Sequence, residues 1–162
     1  MNFREDPFIK SLIARLGQLG VVGLALVGSY ARGQNTPHSD VDVDIFVETL
    51  PPEAYTLRYM DGRLVSLKYM TIEKEYESLT RPEKAIWAVP GLSQMAILVD
   101  ESGQLAALKQ TAQNSNWQSL QSVANEFAAL ALYTHTAQLF QNIIPEKHRD
   151  VIGSTLQLAN SL

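Results

Sequence analysis

Two short stretches carry the residues best suited to chemistry, Gly28 with Ser29 and the aspartates Asp40, Asp42 and Asp44. Asp40 and Asp42 stand two apart on a chain that alternates with Val41 and Val43, so both carboxylates point the same way, with Cα atoms about 6.5 to 7 Å apart. That spacing lets them ligate one hard divalent cation or bridge a pair. Gly28 lets a phosphate approach the backbone, and the Ser29 hydroxyl with nearby amides can donate to its oxygens. A held phosphate beside a cation that neutralises developing charge is what phosphoryl-type transfer requires. Arg32 is a phosphate contact, a carboxylate anchor or a helix cap. Lys68, on a strand facing the site, is a second candidate phosphate contact.

Read together, Gly28-Ser29-Tyr30-Ala31-Arg32-Gly33 and Ser39-Asp40-Val41-Asp42 resemble the signature of the polymerase-beta-like nucleotidyltransferase superfamily. The likeness is to its small bacterial members, which include antibiotic nucleotidyltransferases and the minimal nucleotidyltransferases paired with helical HEPN proteins. Ile97-Leu98-Val99-Asp100, with Gly103 and Leu105, resembles the strand, turn and helix that close the family's domain. The resemblance implies an α/β (α+β) fold, a mixed sheet of four or five strands with helices on one face and a magnesium-nucleotide site on the other. It further implies transfer of a nucleoside monophosphate from a nucleoside triphosphate, ATP being the expected donor, to a hydroxyl of an antibiotic-like molecule or a protein. Asp40 and Asp42 would then be catalytic metal ligands, with Gly28, Ser29, Arg32 and Lys68 on the nucleotide.

The family usually supplies a third carboxylate from a neighbouring strand, and the positions here hold Val65, Ser66 and Lys68. Asp44, on the same strand face as Asp42, is one substitute as a catalytic residue. Glu83 or Glu126 delivering the base is another. The third reading is a nucleotide-binding or antitoxin-like interaction module that does not turn over. Asp44 and Glu48 could extend an acidic cleft suited to an aminoglycoside-like acceptor.

The elements that would position these residues follow from pattern. Phe8, Ile9, Leu12, Ile13 and Leu16 recur at helical spacing after Pro7. Val21 to Val27 is the apolar run of a strand covered on both faces. Residues 28 to 40 form a loop with a helical turn near Ser29 to Arg32. Val41 to Val47 is a strand with one acidic face, and Arg63 to Met70 a third, entered through Asp61-Gly62 and paired with residues 54 to 60. A polar helix is expected at Ile72 to Leu79, an irregular stretch up to Gly91, a strand at Met95 to Val99 and a helix at Leu105 to Gln113. Trp117, Leu120, Ala124, Phe127, Leu130 and Ala131 trace a helix running to about Phe140, and another starts at Pro145. Residues 1–110 are thus expected to form the nucleotidyltransferase domain and 111–162 a helical segment packed on it or on a second subunit.

Bulk composition narrows the classes. A length of 162 residues suits one domain with a small extension, and 46% hydrophobic against 19% charged residues is ordinary for a globular chain. The absence of cysteine excludes disulfides, thiolate zinc sites and cysteine nucleophiles, and makes the cytoplasm the expected compartment. A net charge of −4 with scattered Lys and Arg argues against extended nucleic acid as a partner. No run is long enough for a membrane span or a signal peptide. His38, His135 and His148 lack metal-ligand spacing. Expected partners are the nucleotide, an acceptor, and a second copy or a helical protein.

Overall fold

The computed structural model describes residues 5–17, 20–116 and 119–143, with the side chains of 139–143 excepted. Trp117, His148 and the helix expected from Pro145 lie outside the described residues. The order of elements is α1 (Pro7–Leu16), β1 (Val21–Leu26), α2 (Gly28–Ala31), β2 (Val41–Val47), β3 (Tyr55–Met60), β4 (Arg63–Met70), α3 (Ile72–Thr80), α4 (Pro82–Gln94), β5 (Ala96–Asp100), α5 (Gln104–Gln113) and α6 (Gln121–Ile143).

The five strands make one mixed sheet in the order β3-β4-β2-β1-β5. β2 pairs with β4 in parallel, and the other neighbours pair antiparallel. The parallel pair is possible because the β3–β4 hairpin, turned at Asp61-Gly62, reverses the chain before β4 docks beside β2. Asp61, at φ 48, accepts hydrogen bonds from Ser11 and Arg15 of α1, which ties the hairpin turn to that helix.

Both sheet faces are covered, and strand alternation decides what each meets. Val41, Val43 and Ile45 of β2 pack with Leu24 and Leu26 of β1, Val65 and Leu67 of β4, and Phe8, Ile9 and Leu12 of α1. On the other face Phe46, Ala25 and Met70 pack with Leu79 of α3, Leu92 of α4, and Leu105 and Leu108 of α5. The mixed α+β sheet is as expected. Its helices divide between the two faces, because the apolar stripe of α1 matches the odd-numbered positions of β2 and Phe46 gives the even-numbered face an apolar end.

The expected irregular stretch before Gly91 is instead helix α4, in which Pro82 opens the helix and Pro90 lies inside it. Proline at the first turn is favoured because no amide partner is lost there, and a second proline can be carried by packing of the flanking turns. Ala85 and Leu92 of α4 are buried, and α4 lies against α3, α5 and α6. Along α6, Ala124 is fully buried, whereas Phe127 and Leu130 are 41% and 60% exposed. The expected single apolar face of that helix therefore divides, with the small residue against α4 and the large ones outside.

Candidate active site

β1 and β2 run antiparallel, so the end of β1 meets the start of β2, and the Val27 amide donates to the Asp42 carbonyl at 3.0 Å. The chain then turns into α2 at Gly28, whose φ of 63 is a left-handed conformation that glycine adopts without strain. A Cβ on Gly28 would overlap the Asp42 carboxylate and come within 3.1 Å of its Cγ. The glycine and the aspartate are thus in immediate contact. Tyr30 fixes this turn from below: its ring is buried, and its hydroxyl accepts from Arg63 Nη1 at 3.1 Å.

Asp42 faces Ser66 across the parallel pair, and Asp44 faces Lys68 one pleat further on. The same rows continue into β3, with Leu57 opposite Ser66 and Tyr55 opposite Lys68. Ser66, 7% exposed, has its Oγ within hydrogen-bond distance of the Tyr55 hydroxyl, at 3.4 Å. Burial pushes the Asp42 carboxyl up and neighbouring Asp40 adds to it, while a hydrogen bond from Ser66 and the charge of Arg32 oppose the rise. Asp44 is 8% exposed, and its carboxyl is pushed up to about 7, by burial first and then by Glu75 and Asp42, against the pull of Lys68. Glu75 of α3 is likewise raised by burial and held back by Lys68 and Lys84.

Asp42, Asp44, Tyr55, Ser66, Lys68 and Glu75 line a cleft of about 970 Å³ between the sheet and the helices α3 and α4. Gly28, Arg32, Asp42, Asp44 and Lys68, expected from sequence, all border it, as does Glu83. Ser29, the second residue of α2, and Asp40, just before β2, are half-buried and adjoin Gly28 and Asp42 in the chain, but neither is among the lining residues. Glu48, exposed after the far end of β2, and Glu126, exposed on α6, are not among the lining residues, so Glu48 does not extend an acidic cleft. Glu83 accepts from Arg81 Nε at 2.6 Å, and a hydrogen bond from its own backbone amide, then Arg81, holds its carboxyl below the usual range. Arg32 donates to the Gln34 side chain at 3.0 Å and reaches the cleft edge.

Ser66, Glu75, Lys84, Tyr55 and Trp87 border the cleft without having been singled out as site residues by sequence. Glu75 could have been found by its position one turn into a helix capped by Thr71, whereas Ser66 is set against Asp42 by the parallel register. Lys84 and Trp87 belong to the helix that the prolines disguised.

The carboxylates Asp40 and Asp42 carry more negative charge than Arg32 offsets, which suits a hard divalent cation. Among the described residues no three His, Cys, Asp or Glu side chains gather to hold a metal. Two protein carboxylates, with phosphate oxygens and water filling the other positions, is the usual magnesium arrangement.

The pattern of the family described as nucleotidyltransferase domain matches residues 9–104. That span includes every strand, α2 and all the cleft residues named above. No curated protein matches the chain significantly. Nine solved chains match in structure. One of them is a nucleotidyltransferase-like protein from Exiguobacterium sibiricum, 15% identical, with a TM-score of 0.50 over 92% of this chain and 51% of that one. The chain therefore spans about half the length of that relative, and the likeness is one of fold.

Proposed function

Because the chain belongs to the nucleotidyltransferase domain family, we propose that it moves a nucleoside monophosphate from a nucleoside triphosphate to an acceptor hydroxyl and releases pyrophosphate. The observation that carries this reading is the contact of Gly28 with the Asp42 carboxylate at one end of a cleft that also holds Arg32 and Lys68. Asp40 and Asp42 would hold magnesium, which when bound neutralises charge on the phosphates. Gly28 and Ser29 hold the β- and γ-phosphates, and Arg32 and Lys68 add positive charge at the edge and floor. The acceptor oxygen bonds to the α-phosphorus as the bond to the bridging pyrophosphate oxygen breaks. Asp44, on the same strand face and one pleat deeper, takes the hydroxyl proton.

The order of strands supports one direction for the transfer. Gly28 lies on the β1 side of Asp42, so pyrophosphate leaves toward β1, and an in-line attack brings the acceptor from the β4 side, over Ser66. ATP is the donor to test first. The acceptor half of the cleft holds Ser66, Lys68 and Tyr55 together with the carboxylates of Asp44 and Glu75.

The test incubates the chain with each nucleoside triphosphate and magnesium, following pyrophosphate release, self-labelling and nucleotide binding beside Asp40→Ala and Asp42→Ala. Magnesium-dependent turnover lost in both variants is the expected result. Binding without turnover across a panel of hydroxyl acceptors would favour a nucleotide-binding interaction module, a reading to which Ser66 and Lys68, in place of a strand carboxylate, lend weight. Absence of binding would overturn the nucleotide site itself.

A further inference from the structure

The cleft wall opposite the sheet is one face of α4, formed by Glu83, Lys84, Trp87, Ala88 and Gly91 at helical spacing. Trp87 is 73% exposed, the second most exposed of the large hydrophobic side chains described. Its neighbours Ala88 and Val89 pack against the core cluster on that side, and Trp87 belongs to neither cluster. Exposure alone says little, since single exposed hydrophobic side chains are common; of the exposed large hydrophobics described, Trp87 and Tyr55 are the ones that border the cleft.

Two flanking residues shape the space beside it. Gly91, one turn on, also borders the cleft, and a Cβ placed there would meet nothing within 4 Å. Lys84, one turn before, brings a cation to the same wall. The face therefore presents a flat apolar ring between an open slot and a positive charge. A planar aromatic group attached to an anionic tail matches that sequence of features.

We propose that α4 carries a base-stacking subsite, in which the nucleobase of the donor triphosphate lies on the Trp87 indole and over Gly91, with Lys84 toward its phosphates. This rests on the nucleotide reading of the Gly28–Asp42 end. The β3 side is left to the acceptor, because in-line attack comes from over β4 and because the Tyr55 hydroxyl is engaged by Ser66. The nucleoside, attached to the same α-phosphorus, turns away from that line toward the helical wall. Stacking recognises any π face, so the subsite favours purines over pyrimidines by stacking strength and does not read hydrogen-bonding edges.

The test uses a base-free probe. Magnesium-ATP and magnesium tripolyphosphate are titrated against the chain, Trp87→Ala, Trp87→Phe and Gly91→Leu, with binding read by calorimetry. Trp87 is too exposed for its loss to threaten folding, and leucine is a better helix former than glycine. Expected is tighter binding of ATP than of tripolyphosphate, with Trp87→Ala weakening ATP about five- to a hundredfold and leaving tripolyphosphate unchanged. Trp87→Phe should recover most of the loss, and Gly91→Leu should reproduce it by filling the slot. Equal affinity of the wild-type chain for both ligands, or ATP affinity indifferent to Trp87→Ala and Gly91→Leu, would overturn the stacking subsite alone. Failure of both ligands to bind would overturn the nucleotide site, and the subsite with it.

Discussion

At the scale of single residues, Gly28 is under two constraints at once, a left-handed φ and the absence of room for a Cβ beside Asp42. Gly28→Ala should therefore displace the Asp42 carboxylate and cost about 1–3 kcal/mol in stability, with magnesium-nucleotide affinity falling at least tenfold by calorimetry. Unchanged affinity would mean that the turn is not part of the phosphate site. Asp44 makes a prediction of opposite sign. With its carboxyl raised from 3.8 to about 7, the native chain binds more protons than the unfolded chain between those values. Its contribution to stability is therefore complete below the unfolded value and is lost as pH rises through about 7. Keeping the charged form buried costs on the order of 4 kcal/mol at the alkaline end. In chelator, Asp44→Asn should be the more stable protein near pH 8 by about 1–3 kcal/mol in urea denaturation, with the gap closing as pH falls toward 3.8. A gap independent of pH would show that this carboxyl does not titrate in a buried state.

Among the elements, legibility tracked how local the determining physics is. The alternation of Val41 to Val47 and Arg63 to Met70 reports two strands directly, because each residue's face depends only on its position in its own strand. Their parallel register, which sets Ser66 against Asp42 and Lys68 against Asp44, depends on how the hairpin docks and has no local trace. Helix α4 was hidden for a different reason. Pro82, Pro90 and Gly91 each argue for a break, and only the burial of Ala85 and Leu92 against the rest of the fold outweighs them. As a result the β2 side of the cleft and Lys68 could be read from sequence, while Ser66, Tyr55 and the helical wall could not. Pro90 offers a test of that element, since it removes one intrahelical hydrogen bond while bordering the cleft. Pro90→Ala should raise stability by about 1–3 kcal/mol, seen as a higher Tm, and, because Pro90 borders the cleft, should lower nucleotide affinity. A higher Tm with unchanged affinity would assign the proline no part in binding.

Over the whole molecule, the two hydrophobic clusters sit on opposite faces of one sheet, and the cleft opens where the second cluster stops at Phe46 and Asp44 begins. A ligand held there touches the sheet, α3 and α4 together, so binding should stabilise the entire fold. Magnesium-ATP at a hundred times its dissociation constant should raise the unfolding free energy by about 2.7 kcal/mol. The gain should vanish with chelator or with Asp42→Ala, as measured by thermal denaturation. The parallel pairing of β2 with β4 bears also on how the protein reaches this state. The β3–β4 hairpin closes over a two-residue turn and forms locally, and β1 meets β2 across one loop, but nothing local joins the two units. Their docking joins residues much closer in sequence than the pairing of β1 with β5 does, and it is the event that brings Ser66 and Lys68 beside Asp42 and Asp44. During refolding, competence to bind nucleotide should therefore not appear before the β3–β4 hairpin has docked on β2.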